Sequence, residues 1–221
     1  MKLPSPPLLV ISDRRQTRRP LPEIAAAAFA GGCRWFSLRE KDLAADERRR
    51  LLAELVTLGR RFGAIVTVHD DIEAVIATGA HGVHLPGASD PAAARLRLPR
   101  GLIGVSAHSP SEAAALLAAK TDYVTLSPIF PSPSKPDYGP PLGLGAIREA
   151  AASGAVIALA GIDETNAAAC LAAGAAGIAI MGDIMRAADP ETTVRRLIEA
   201  IAATRKPGRT GSAQRKPPLR S

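Results

Sequence analysis

Eight short β-prone runs, each followed by an amphipathic, alanine-rich segment, fill this chain almost from end to end. That alternation restricts the fold more than any other feature. The runs are 8–12, 33–38, 64–68, His81–Leu85, 102–106, 122–127, 155–160 and 176–181. Helical patterns follow them at 21–30, 45–62, 71–79, 90–97, 110–120, 143–152, 165–173 and 190–204. Strands that alternate with helices pair in parallel, because a parallel neighbour is reached only through a crossover. Eight such units are the number that closes a parallel sheet on itself, so the expected fold is α/β, a TIM (β/α)8 barrel in a single domain. The punctuation agrees: Gly63, Gly79 and Gly174 fall where helices should end, and Pro20 and Pro22 where the first should begin. An open doubly wound sheet would need a glycine-rich dinucleotide turn after the first strand, where Ser12-Asp13-Arg14-Arg15 stands instead. Aromatic residues are only 3% of the chain, so the core must be built from Ala, Val, Ile and Leu.

Bulk properties exclude several other classes. No run approaches the roughly 18 apolar residues of a membrane span, and the first residues lack the apolar stretch and cleavage site of a signal peptide. Cys33 and Cys170 are too few and too far apart for a disulfide framework or a metal knuckle. They read as buried free thiols, and the expected location is the cytoplasm. The formal charge of +7 is concentrated at the end, where Lys206, Arg209, Arg215, Lys216 and Arg220 occur without an acid. Pro, Gly, Ser and basic residues without apolar periodicity make 206–221 a basic disordered tail behind a 1–205 barrel. Its plain reading is a solvated tail, so neither nucleic acid nor a membrane is an expected partner.

In a barrel the residues just past each strand form the mouth and carry the chemistry. Those positions hold Asp13, then Arg39-Glu40-Lys41, then His69-Asp70-Asp71. Strand 4 delivers His84 and the turn Pro86–Asp90, and strand 5 ends in Ser106 and His108. Strand 6 opens into the long loop 127–143, with Ser132, Ser134 and Lys135. Strands 7 and 8 end in Gly161 and in Met181-Gly182. Glycines in those last two places let backbone N–H groups approach a substrate phosphate closely. Lys135 in its Ser- and Pro-rich loop suits an anionic substrate, and His108 could serve as a general acid or base. Asp70 could hold Mg²⁺, which commonly takes one or two carboxylates together with substrate phosphates. His81, at odd spacing from His84 on the same strand, reads as structural.

This string of motifs resembles the thiamine phosphate synthase/TenI family. The resemblance runs from about Leu8 to Thr204 through Leu38-Arg39-Glu40-Lys41, Gly82-Val83-His84-Leu85, Gly104–Ser109, Asp122-Tyr123-Val124, Ser127-Pro128-Ile129-Phe130, Ser134-Lys135-Pro136, Ala160-Gly161-Ile162 and Gly177–Met181. It implies a thiazole phosphate as substrate, held near Gly161, Met181 and Gly182. It also implies one of two chemistries. Synthases join hydroxymethylpyrimidine diphosphate to the thiazole phosphate with Mg²⁺ and release pyrophosphate. TenI-type members aromatise a thiazole carboxylate phosphate by proton transfer, without a metal. A homodimer is a further expectation for barrels of this kind.

The chain departs from the synthase pattern on the diphosphate side. Ser37 stands where synthases show Gln, and His69 where they show Asn. Ser89 stands at the second metal carboxylate, with Asp90 one place late. Losing an amide and a metal carboxylate weakens diphosphate binding. The leading expectation is therefore the TenI-like isomerisation. In it His108, Lys135 and Ser106 are catalytic, and Arg39, Lys41, His69, Ser132, Ser134, Gly161, Met181 and Gly182 bind substrate. The alternative is the synthase, with Mg²⁺ on Asp70 and Asp90 as the candidate second ligand. A non-catalytic phosphate-binding barrel is the third reading.

Overall fold

The computed structural model describes residues 2–132 and 139–203. Its eight strands pair in parallel, each with the next and the last with the first, as a closed barrel. They are β1 Leu8–Ile11, β2 Trp35–Leu38, β3 Ile65–His69, β4 Gly82–Leu85, β5 Leu102–Ala107, β6 Tyr123–Leu126, β7 Val156–Leu159 and β8 Gly177–Ile180. The helices are α1 Leu21–Ala30, α2 Ala45–Arg60, α3 Ile72–Thr78, α4 Pro91–Arg97, α5 Pro110–Ala118, α6 Gly143–Ala151, α7 Ala167–Ala172, α8 Gly182–Met185 and α9 Pro190–Ala203. Every expected element is present. The four-residue α8 was not foreseen, because a single turn is too short to show a helical period.

Side chains alternate across each strand, so one set faces the helices and the other fills the barrel. Val10, Phe36, Val66, Val83, Val105 and Val124 belong to the outer layer, which packs under α1–α9. Leu9, Ile11, Trp35, Leu102, Tyr123, Ile157 and Ala179 form a separate inner cluster. Two large rings, Trp35 and Tyr123, meet edge to face there, with centroids 4.8 Å apart. They fit because β5 has a glycine beside them: a Cβ on Gly104 would lie 2.0 Å from Tyr123 Cζ. Trp35 Nε1 donates to Thr67 Oγ1 at 3.3 Å, so the indole nitrogen is satisfied without water.

The end of the barrel opposite the mouth is tied by structural groups. His81 Nδ1 accepts from the Val66 amide at 3.1 Å, which agrees with its structural reading. Asp122 accepts from the Ile103 amide at 2.7 Å and from Arg95 at 2.6 Å. Cys33 and Cys170 are buried and free. Among the described residues no helix is long and apolar enough to cross a membrane. The basic stretch 206–221 and the loop residues Ser134 and Lys135 lie outside the described residues.

Candidate active site

Several charged groups at the mouth turn out to be committed to holding the barrel rim. Asp13 accepts from Arg15 N, Arg15 Nε and Gln16 Nε2, capping a single turn at Arg14–Gln16. Glu40 is buried and accepts from Ser12 Oγ at 2.6 Å and from the Arg14 amide at 3.1 Å, clasping the ends of β1 and β2. Burial raises its pKa, and the Ser12 and Arg14 bonds oppose that rise. Asp71 caps α3 and pairs with Arg48 at 2.7 Å. Asp90 Oδ1 caps α4 through the Ala92 amide at 2.8 Å.

Against this background the uncommitted charges stand out. The side chains of Arg39, Lys41 and Asp70 form no ion pair and no hydrogen bond among the described residues. Arg39 is tethered through its backbone amide, which donates to Ser12 Oγ at 2.8 Å. Asp70 is exposed and has a left-handed backbone (φ 54°), with its amide donating to the His84 carbonyl at 2.9 Å. A left-handed aspartate is strained relative to glycine, and such strain concentrates at functional sites. Two cations and one carboxylate are thus presented at adjacent strand ends, β2 and β3.

Below them the barrel interior is polar. His84 is buried, with Nδ1 3.1 Å from Tyr123 Oη and Nε2 3.0 Å from Ser106 Oγ and 3.3 Å from Thr125 Oγ1. Burial, aided by the Arg39 charge, pulls the His84 pKa down to about 3, so the ring is neutral. Burial likewise raises the Tyr123 phenol well above its ordinary value. The His69 ring meets that of His84 at a tilt of 45° with centroids 4.7 Å apart, and its pKa is also lowered well below the usual value by burial and by the neighbouring His84, Arg39 and Lys41. His69 Nε2 and Ser37 Oγ are enclosed and have no hydrogen-bond partner among the described residues. Leaving two such groups unmade is costly unless a ligand completes them. Sequence reasoning named Ser106 and His69 but not the network of His84, Tyr123 and Thr125 around them. The i, i+2 spacing of Tyr123, Thr125 and Ser127 was the available signal.

The remaining candidates ring the other side. His108 Nδ1 lies 3.0 Å from the Ser127 carbonyl, which can only accept, so the Nδ1 proton donates to it. The loop after β6 is pinned at both ends, by Leu142 N to Pro128 O at 2.8 Å and Gly143 N to Ile129 O at 3.0 Å. Ser132 lies on that loop, half-buried. Ala160 and Gly161 both have left-handed backbone, and a Cβ on Gly161 would fall 2.3 Å from the Pro131 carbonyl. Met181 Sδ receives a long contact from Gln16 Nε2 at 3.6 Å, and Gly182 opens α8. No cluster of three or more metal-ligating side chains occurs among the described residues, so any ion would rely on few protein carboxylates and on substrate oxygens.

Fold and site together define the class, an α/β-barrel enzyme with uncommitted charged groups at the C-terminal ends of its strands. Residues 8–184 match the family model described as thiamine monophosphate synthase. A Geobacter sulfurreducens protein is 41% identical over 199 residues, covering 88% of this chain and 93% of its own. The thiamine-phosphate synthase of a Roseiflexus species is 36% identical over 199 residues, covering 88% and 84% respectively. The solved thiamine phosphate pyrophosphorylase from Pyrococcus furiosus superposes with a TM-score of 0.81 at 28% identity, over 89% of this chain and 96% of that one. The chain belongs to the thiamine monophosphate synthase family.

Proposed function

We propose that this protein joins hydroxymethylpyrimidine diphosphate to thiazole phosphate, forming thiamine phosphate and releasing pyrophosphate. The observation that carries this reading is that relatives named for that activity match the barrel almost end to end at 35–41% identity. It reverses the order of expectations drawn from Ser37, His69 and Ser89 alone, which favoured the TenI-like isomerisation. The uncommitted trio Arg39, Lys41 and Asp70 supports the same choice, since a diphosphate needs fixed cations and an isomerisation does not.

In this scheme Arg39 and Lys41 bind the diphosphate oxygens. Asp70 is the carboxylate that would hold a Mg²⁺ ion, and Asp90, whose Oδ1 caps α4, is the second candidate. The ion, when bound, would neutralise charge growing on the leaving pyrophosphate. The bond from the pyrimidine methylene to the diphosphate oxygen breaks, and the thiazole nitrogen forms the new C–N bond to that methylene. His69 and Ser106 face the pyrimidine side, with Ser106 donating a hydrogen bond to the departing group. Gly161, Met181 and Gly182 seat the thiazole phosphate on backbone N–H groups. Ser132, Ser134 and Lys135 belong to the loop over it, Lys135 as a further cation for the anionic substrates. Both substrates are small, phosphorylated and water-borne.

The test is direct. The purified protein with both substrates and Mg²⁺ should form thiamine phosphate, and no product at saturating Mg²⁺ would sink the proposal. The second reading, metal-free aromatisation of thiazole carboxylate phosphate by His108, rests on the commitment of Asp90 to its helix cap. Isomerisation that persists in a chelator and vanishes in His108→Ala would establish it instead.

A further inference from the structure

Four polar side chains inside the barrel form one connected line, Tyr123–His84–Ser106 with Thr125 alongside, and that line has a direction. Tyr123 is fully buried, and among the described residues its hydroxyl has one hydrogen-bond partner, His84 Nδ1 at 3.1 Å. A phenol is an able donor and a poor acceptor, so its proton belongs on that contact. His84, neutral and enclosed, carries a single ring proton, which then sits on Nε2. The nearer acceptor of that proton is Ser106 Oγ at 3.0 Å, with Thr125 Oγ1 at 3.3 Å as a second, longer one. The opposite arrangement would let Thr125 donate to Nε2 but would strand the phenolic proton in the core. The phenol is the more acidic donor and the costlier one to leave unmade.

We infer that Tyr123 and His84 are positioning residues that hold Ser106 as a hydrogen-bond donor aimed at the mouth. With its lone pair engaged by Nε2–H, the Ser106 hydroxyl proton is left to point outward, where it meets an acceptor oxygen of an anionic substrate. Ser106 is thereby set against acting as a nucleophile or as a base, since His84 offers it no proton acceptor. Gly104 belongs to the same device, because only a glycine there admits the Tyr123 ring. The inference about Ser106 and its ligand rests on the function proposed above, whereas the proton direction rests on the ligand-free geometry alone.

The chain has four histidines, so long-range ¹H–¹⁵N spectra of the full-length protein resolve each ring, with His69→Gln, His81→Gln and His108→Gln variants assigning the His84 signals by elimination. The expected result for His84 is a proton on Nε2 and a bare Nδ1. A proton on Nδ1, or on both nitrogens, overturns the inference. Tyr123→Phe keeps the ring and its packing, and should convert the His84 signal to a tautomer mixture or to the Nδ1–H form. An unchanged Nε2–H pattern in that variant removes Tyr123 from the line. Inorganic pyrophosphate with Mg²⁺ then probes Ser106: Ser106→Ala and Tyr123→Phe should each weaken it by about fivefold. Weakening in the first variant but not the second overturns the positioning role. Failure of pyrophosphate to bind the unaltered protein would instead count against the diphosphate reading, with the tautomer result standing by itself.

Discussion

The interior of this barrel divides into two unlike halves. Under β2 to β6 the inward side chains include Trp35, Ser37, Thr67, His69, His84, Ser106, Tyr123 and Thr125, most of them polar and linked, with Ile65 and Leu102 as apolar members at the far end. Under β7, β8 and β1 they are Ile157, Leu159, Ala179, Met181, Leu9 and Ile11, with no polar side chain among them. The mouth divides the same way. Arg39, Lys41 and Asp70 crown the polar half, while Ala160, Gly161 and Gly182 crown the apolar one. One half can address a ligand through side chains, and the other only through backbone. Backbone recognition suits a group common to many substrates, such as a phosphate, whereas side chains can distinguish one leaving group from another.

Substitutions can break this division at chosen points. The largest effect is expected at Gly161→Val, which adds a branched side chain at φ +64° against the Pro131 carbonyl. It should cost about 3 kcal/mol of stability in urea unfolding and abolish binding of thiazole phosphate. Thiazole phosphate bound normally by that variant would refute the backbone half. Asp70→Ala removes a carboxylate that nothing in the described fold uses. Coupling should fall about 100-fold with the melting temperature unmoved, since a fixed charge contact in a transition state is worth roughly 3 kcal/mol. Arg39→Ala should raise the KM for the diphosphate substrate about tenfold and leave that for thiazole phosphate alone, a charge-assisted bond contributing about 1.5 kcal/mol. Equal changes in both constants would merge the two halves into one.

The smallest effect serves as a control at the far end of the barrel. Asp122 is half-buried, and that desolvation by itself would raise its pKa. The Ile103 amide and Arg95 outweigh that and hold it below the usual carboxylate value. A carboxyl depressed in the folded state stabilises the fold above the unfolded pKa, about 3.9, and loses that contribution as pH falls through its own lower value. Asp122→Asn should therefore be less stable by about 1 kcal/mol at pH 7, with the deficit closing in acid, and with both halves of the mouth working normally. Denaturation at the two pH values checks the sign.

The barrel itself was legible because each unit repeats one period change, from alternation to helical spacing, and eight repetitions leave little room for another topology. Ends of elements were less legible for local reasons. The helix expected at 165–173 is Ala167–Ala172, since Asp163 first gathers Thr165 and Asn166 into a turn of their own. At the mouth, residue type alone could not separate Asp13, Glu40 and Asp90, which cap and clasp the rim, from Asp70, which does not. That distinction depends on which amide lies within reach, and thus on neighbouring strands. The His84 network was missed for the same reason, because its members come from three strands and meet only through the registers of β4, β5 and β6.

Glu40 sits between the two cations that crown the polar half, yet its carboxylate points back into the rim toward Ser12 and Arg14. Summed as formal charges, Arg39-Glu40-Lys41 amounts to a single positive unit. An approaching anion meets a different field, because the negative member is turned away and its charge is spread over donors behind the wall, whereas Lys41 is exposed and half-buried Arg39 has no ion pair among the described residues. The rim is in effect a small capacitor with its positive plate outward. Its pull on a multiply charged substrate should weaken with ionic strength as two cations do, not as one.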